Sequence, residues 1–302
     1  MDALVIGAGE IGARLARRLA ERGAEVTVAT RRGTGIEGAR AVAVDAADAP
    51  ALAAAAAGAR TVYLVTNPAQ YHRWAELWPP VLRSVLAAAR GKDLVIMGNL
   101  YAYGRAAMPM TERSPLRPAD PKGEVRRRLW EDALAAHERG ELRAVEVRAS
   151  DYFGPGAGEM SMLGTRFFAP LMRGRAPRIV GDRDAPHSWT YLDDIAATLE
   201  AAGSYAGPWG RAWHVPSAPP RSYREIAGDV ARRYGLPGRV EAYPRWLFGA
   251  IAAVSPFLAA VRDSSYQFRA PFVLDAAETE RELGVAATPW EVSLPATAES
   301  YR

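Results

Sequence analysis

The 302-residue chain contains no cysteine, which excludes disulfides, thiolate-held metals and a cysteine nucleophile. Histidine is nearly as scarce. His72, His137, His187 and His214 are its only four, no two stand at helix-ligand spacing, and no metal site is expected. Lysine is rarer still: Lys92 and Lys122 are alone among 38 basic residues. Long apolar runs are missing too. The longest, Leu247 to Val261, is broken by Ser255 and Pro256 and falls short of the ~20 residues that span a bilayer. Met1-Asp2 leads straight into a strand pattern, without the basic-then-apolar order of a secretion signal. These absences predict a cytoplasmic protein with no membrane association. The formal charge is 38 − 34 = +4, but arginines alternate with acids, as in Arg126-Arg127-Arg128 followed by Glu131 and Asp132. Mixed charge is not the positive stripe of a nucleic-acid binder, so no nucleic-acid partner is expected.

What is present is ordinary globular material, 49% hydrophobic and 24% charged, ample to offset chain entropy. The first half alternates short apolar runs with helical periodicity. Ala3–Ile6 reads as a fully buried parallel strand, and Ile11–Arg22 as a helix with Leu15 and Leu19 on one face and Gly23 as its stop. Further strands are expected at 25–29, 42–44, 61–65, 93–97 and 142–148. Helices are expected at 49–57, from the fourth strand to about 90, and over 123–140. This alternation predicts an α/β fold, a doubly wound parallel Rossmann sheet. After about Gly154 the texture becomes rich in Gly, Pro and aromatics. We therefore expect a dinucleotide-binding domain over 1–154, to which 187–203 return, and a smaller C-terminal lid built mainly from 155–302.

Gly7-Ala8-Gly9-Glu10-Ile11-Gly12 fits G-x-G-x-x-G, follows a predicted strand and opens a helix, the context in which the pattern cradles a pyrophosphate. A purely structural tight turn is the competing reading. An NAD site would present an acid to the ribose about 20 residues on. Here the second strand ends in Thr30-Arg31-Arg32, two guanidiniums suited to a 2′-phosphate, so NADP(H) is the expected cofactor. Asp45, after the third strand, is placed to meet the adenine or to make a plain turn.

Several landmarks together resemble the extended short-chain dehydrogenase/reductase family, the NAD-dependent epimerases/dehydratases. Beyond the glycine turn these are Tyr103-Gly104, Thr111-Glu112 and Arg148 through Gly154-Pro155, the last similar to the family's R-x-x-x-x-Y-G-P. Ser188 through Ala196 and Glu280-Arg281-Glu282-Leu283-Gly284 complete the set. The resemblance covers nearly the whole chain. It implies a serine or threonine after the fifth strand and a Tyr-x-x-x-Lys pair on the next helix for proton transfer. Counting back from Tyr103-Gly104, the serine position falls on Asn99, the tyrosine on Lys122 and the lysine on Arg126. The usual acid is missing, which marks the chain as an atypical member. The resemblance also implies a homodimer through two flanking helices, for which Trp74, Leu77, Trp78 and Trp130 are candidates unless they are core.

In a protein that uses arginine almost throughout, Lys122 reads as a compact ammonium able to titrate when desolvated. It is a candidate to bind the nicotinamide ribose or to act as general acid/base; a solvated helix-start lysine is the alternative. Tyr101 is a second candidate proton donor, beyond the carboxyl end of the fifth strand where ligands gather. Tyr103 shares that position, as donor, substrate contact or packing residue. Asn99 is a candidate to polarise a carbonyl or anchor the nicotinamide amide, and Thr66 and Asn67 to line the cofactor. On the substrate side stand Tyr71 and His72 with Trp74, then Asp151 and Tyr152, and His187 and Trp189. Phe167, Phe168, Tyr266 and Phe268 are candidates to close the pocket or to form lid core. Aromatics with a few polar groups suit a flat or cyclic organic substrate. The expected activity is an NADP-dependent oxidoreductase acting on an imine, enone or carbonyl. A redox-neutral epimerase or dehydratase and a non-catalytic NADP sensor are the alternatives.

Overall fold

The computed structural model describes residues 2–244, 246 and 255–302. The chain opens with β1 (Ala3–Ile6), α1 (Glu10–Glu21), β2 (Val26–Thr30), β3 (Arg40–Ala43), α2 (Ala49–Ala55) and β4 (Thr61–Leu64). A 3₁₀ turn at Tyr71–Arg73 leads into α3 (Trp74–Ala88). Then come β5 (Asp93–Asn99), a second 3₁₀ turn (Tyr101–Tyr103), α4 (Pro121–Glu138) and β6 (Arg143–Ala149). The remainder holds β7 (Asp151–Phe153), α5 (Thr165–Met172), β8 (Arg178–Ile179), β9 (Trp189–Tyr191), α6 (Leu192–Gly203) and β10 (Arg211–His214). α7 (Tyr223–Tyr234), β11 (Glu241–Ala242), α8 (Pro256–Ser264), α9 (Ala277–Leu283) and α10 (Trp290–Glu299) complete it.

Seven strands form one sheet in the order β10-β6-β5-β4-β1-β2-β3, and every pair in it is parallel. The expected Rossmann sheet is thus present. Its strands are buried on both faces because side chains alternate along a strand. Leu4, Ile6, Val62, Leu64, Leu94 and Ile96 enter one core beside Trp74, Trp78 and Trp130. Ala3, Val5, Tyr63, Val95, Val145 and Val147 enter the other with Leu15, Leu19, Ile195 and Leu199. Trp74, Trp78 and Trp130 are core residues, at most 6% exposed, so they present no patch to a second copy.

The strand starts and stops shift from expectation by at most two residues, the ordinary scatter of element ends. β10 is the real addition. Arg211-Ala212-Trp213-His214 has polar residues at both ends, which hides it in the sequence, yet it pairs with β6 in register Arg211↔Val145 to His214↔Arg148. The return of the chain to the sheet therefore includes 211–214 as well as α6, which packs against α1. Two short parallel pairs, β7 with β9 and β8 with β11, belong to the lid. Its core is Phe153, Phe167, Phe168, Trp189, Tyr223 and Phe268 with their neighbours. The apolar run 247–261 lies outside the described residues as far as 254, and its end forms part of α8. No helix among the described residues is long and apolar enough to cross a membrane.

One buried polar network crosses from sheet to lid. Arg148 pairs with Glu146 at 2.6 Å and donates to the Tyr103 hydroxyl at 2.6 Å. Gly98 makes the space, since a Cβ there would lie 2.5 Å from Glu146 Oε1. His214 sits 2.7 Å from the Tyr103 hydroxyl through Nε2 and 2.8 Å from the Asp275 carbonyl through Nδ1. Its Nδ1–H donates to the carbonyl and Nε2 accepts from Tyr103. Burial, reinforced by the nearby Arg148 charge, holds its pKa down to about 3 against an ordinary 6.5. The folded value is the lower one, so the His214 contribution is complete above about 6.5 and is lost as pH falls toward 3. We expect about 2 kcal/mol of stability to disappear between pH 7 and 5 on this account. His214→Gln should flatten that decline in denaturant titrations at the two pH values.

Candidate active site

The turn from β1 into α1 is shaped by where side chains cannot fit. Gly7 has φ +114° and a Cβ on it would fall 2.9 Å from Thr66 Cβ. A Cβ on Gly12 would lie 2.1 Å from the Gly7 carbonyl oxygen, so helix and strand approach as closely as a missing side chain allows. Gly9 is different: nothing lies within 4 Å of its Cβ position. Its bare face looks onto open space at the start of α1, where backbone N–H groups favour an anion. Ile11 packs into the core shared with α6, and Glu10 turns toward the lid beside Gly158.

From this turn a groove of about 510 Å³ runs along the carboxyl edge, lined among others by Gly7, Thr30, Arg31, Arg32, Asp45 and Thr66. Thr30 Oγ1 accepts the Thr34 N–H at 2.8 Å and bends the loop that carries both arginines. Arg31 and Arg32 are exposed. No salt bridge to either is found among the described residues, whereas Arg14, Arg18 and Arg22 beside α1 are paired with acids. Asp45 accepts the Ala47 N–H at 2.9 Å and lines the far side of the groove.

At the other end, the segment after β4 lines the groove with Thr66 through Gln70. Asn67 is gripped by Arg126, whose other terminal nitrogen donates to the Met97 carbonyl at 3.1 Å. The guanidinium lies 4.9 Å from the ring centres of both Trp74 and Trp78. Arg126 stands where the lysine of the Tyr-x-x-x-Lys pair was expected, and it ties two strand ends together from within the core. Asn99 caps the following 3₁₀ turn, accepting the Tyr101 N–H at 3.1 Å, with its amide nitrogen unbonded among the described residues.

Beside the groove opens a cavity of about 630 Å³, walled by Tyr71, Tyr101, Asp151, Phe167, Tyr223 and Phe268 with Met160, Met162, Leu258 and others. The β4-to-α3 segment serves both spaces, the groove up to Gln70 and the cavity from Tyr71. A chain of hydroxyls leads out of the cavity wall. Tyr101 and Tyr71 are 3.2 Å apart, Tyr71 and Ser264 3.4 Å, and Ser264 donates to Asp120 Oδ2 at 2.8 Å. Asp120 Oδ1 meanwhile caps α4, accepting the N–H groups of Lys122 and Gly123. Burial pushes the Tyr71 hydroxyl up to about 12 and Tyr101 well above its ordinary value. Both therefore stay protonated at neutral pH. Opposite, Asp151 Oδ2 pairs with His187 Nε2 at 2.9 Å.

Several expected residues lie elsewhere. Lys122 is buried, donates to the Ala260 carbonyl at 2.8 Å and sits 5.0 Å from the Tyr71 ring centre. Burial lowers its pKa, and it backs the tyrosine rather than lining either space. The solvated helix-start alternative is corrected by that burial. Tyr103 is fully enclosed with its hydroxyl engaged by Arg148 and His214, so it offers a substrate nothing. Trp189 is likewise enclosed, its Nε1 donating to the Arg221 carbonyl. His72 is exposed on the turn before α3. Tyr152 is half-buried and packs against the sheet core. His187 reaches the cavity only through Asp151, and its ring is stacked on Phe268 and Phe272. Asp120 and Ser264 escaped the sequence reading. Asp120 before Pro121 is a legible helix cap, but nothing local ties it to a serine 144 positions away. No cluster able to hold a metal ion occurs among the described residues.

A parallel sheet with a glycine turn, an edge groove and a covering lid defines a dinucleotide-binding protein of the doubly wound class. Residues 3–213 match the family described as NAD dependent epimerase/dehydratase, and the chain belongs to it. No curated protein matches the sequence. Among solved structures, MoeE5 in complex with UDP-glucose and NAD is similar over 99% of this chain and 98% of its own, at 21% identity and TM-score 0.79. UDP-glucuronic acid 4-epimerase from Bacillus cereus in complex with NAD aligns over 100% and 97%, at 16% and 0.79. UDP-glucose 4-epimerase from Thermotoga maritima with UDP-glucose aligns over 100% and 99%, at 18% and 0.79. At such identities these likenesses describe the fold.

The two glycines separate fold from ligand. Gly12→Ala should destabilise the protein, because its Cβ meets fixed backbone. Gly9→Ala should leave the melting temperature unchanged while weakening dinucleotide binding by about tenfold or more, roughly 1.4 kcal/mol. Calorimetric melting and coenzyme titration of both variants check this.

Proposed function

We propose that this protein is an NADP-dependent oxidoreductase that reduces a small cyclic or aromatic organic substrate. The observation that carries the reading is the pairing of the edge groove with an aromatic cavity whose wall ends in the Tyr101 hydroxyl. Residues of the groove and beside it fit the coenzyme. In the groove Arg31 and Arg32 suit the 2′-phosphate, Asp45 the adenine and Thr66 the nicotinamide end; next to it the bare Gly9 face suits the pyrophosphate and Asn99 the nicotinamide amide. Bound there, the nicotinamide would supply a hydride.

The chain's own contribution is the proton. Tyr101 takes the role of the absent family tyrosine and donates its hydroxyl proton to the substrate atom that gains charge on reduction. Tyr71, which donates to Tyr101, restores that proton through their hydrogen bond, and Ser264, itself tied to Asp120, holds the Tyr71 hydroxyl in position. Lys122, beneath the Tyr71 ring, holds this tyrosine in place. Burial keeps both tyrosines protonated at neutral pH and makes them weak acids, which suits a substrate atom that becomes strongly basic on reduction. A redox-neutral epimerase or dehydratase is the second reading, favoured by the family match and by the sugar-nucleotide epimerases of like fold.

Two measurements decide. NADPH should bind more tightly than NADH, and the double variant Arg31→Ala/Arg32→Ala should erase that preference. Loss of charge-assisted hydrogen bonds of about 1.5–3 kcal/mol corresponds to ten- to hundredfold; equal affinities in the native protein would overturn NADP. With a panel of imines, enones and ketones, NADPH absorbance should fall. Tyr101→Phe should slow this by about 10²–10⁴-fold with little change in coenzyme affinity. Tight binding without oxidation of NADPH by any compound would overturn the reductase in favour of the redox-neutral reading or of a sensor.

A further inference from the structure

The charges around the cavity are arranged unevenly. Arg166 and Arg178 are its only cationic side chains among the described residues, and both are engaged, Arg166 with Glu159 at 2.6 Å and Arg178 with Glu241 at 3.4 Å. Each of these guanidiniums already faces a carboxylate. Asp151, by contrast, has no arginine or lysine partner among the described residues. Its Oδ2 is held by His187, and Oδ1 takes no hydrogen bond among the described residues, on a side chain 18% exposed in the cavity wall. A carboxylate among Tyr71, Tyr101, Tyr223 and Phe268 carries a desolvation cost unless something positive meets it. A second group in the same wall is also unmatched. The Tyr223 hydroxyl is buried without a hydrogen-bond partner, on a side chain 2% exposed.

We propose that the cavity recognises an organic cation, a protonated amine or iminium carried on an apolar ring system, with Asp151 as its counter-ion and the surrounding aromatic faces as its walls. This rests on the reading above that the cavity is the substrate site. The positive charge lies against Asp151 Oδ1, His187 fixes the carboxylate through its other oxygen, and the ring system fills the space between Phe167, Met162 and Phe268. Aromatic faces attract cations through their quadrupoles, and more strongly when water is excluded. The same Asp151 charge adds to burial, the larger cause, in keeping Tyr101 and Tyr223 from ionising. An iminium also needs less help from an acid than a ketone does, which fits a site whose proton donor is a tyrosine of raised pKa. Nucleotide sugars, with an anionic diphosphate, are disfavoured by the same arrangement.

Binding of simple probes to the NADP-loaded protein tests this without knowledge of the natural substrate. The probes are benzyltrimethylammonium, its uncharged isostere neopentylbenzene, 3-phenylpropionate and uridine diphosphate, followed by tryptophan fluorescence and calorimetry. The cation should bind about tenfold or more tightly than the isostere, and both anions most weakly. Asp151→Asn should remove the cation's advantage and leave the isostere's affinity within twofold. Glu159→Gln, at the exposed rim, should change either by no more than about threefold. If Asp151→Asn fails to fold, native discrimination between cation and isostere still decides. Equal binding of these two, preference for an anion, or no binding by any probe overturns the proposal. Cation selectivity in a protein that binds neither coenzyme would instead uphold it while removing the oxidoreductase reading.

Discussion

One buried guanidinium sets the geometry on which both ligand spaces depend. Arg126 joins Asn67, just past β4, to the Met97 carbonyl on β5, and no carboxylate among the described residues forms a salt bridge with it. Its charge is tolerated because Trp74 and Trp78, set nearly at right angles to each other, both lie 4.9 Å from it, each such contact contributing about 0.5–2 kcal/mol. From these two anchored strand ends the chain continues to Thr66–Tyr71 and to Asn99–Tyr101, which meet again at the Tyr71–Tyr101 hydrogen bond. The groove wall, the Tyr71–Tyr101 contact and the mouth of the aromatic cavity are consequences of that anchoring.

Seen this way, the loss of the Tyr-x-x-x-Lys pair is more than a subtraction. Helix α4 still delivers two cations to the same region, but Lys122 and Arg126 both face into protein. One lies beneath an aromatic ring and the other bridges strand ends, so the helix has exchanged a chemical task for a supporting one. On the proposed reading the proton-bearing group is Tyr101 in the turn after β5, whose hydroxyl is linked to the cap of α4 through Tyr71 and Ser264. The helix that carries the reactive pair elsewhere in the family here terminates a hydrogen-bonded path.

The sheet was readable because parallel strands are buried on both faces and leave short continuous apolar runs, as in Ala3–Ile6 and Asp93–Met97. The glycine turn was readable because Gly7 and Gly12 leave no room for a side chain and the spacing of the three glycines is short and local. β10 was not, since its ends are Arg211 and His214, whose polarity is satisfied by Glu278, Glu282 and the Asp275 carbonyl far along the chain. The same holds for the candidate site. Asp151 stood out as an acid at a strand end, but its partner His187 and the Asp120–Ser264 contact exist only after folding. Tyr103 and Trp189 looked like ligand contacts because aromatic residues near a site resemble those of a core until their hydroxyl or indole partners are known.

The covering layer is not hung on a single connection. Chain passes from sheet to cover at 149–151, returns at 191–192, leaves again after β10, and comes back once more at α9 before ending in α10. A body laced down along several edges cannot swing open like a door on one axis. Met160, in the segment between β7 and α5, stands 61% exposed at the rim of the cavity, so the walls around it are held from several sides at once.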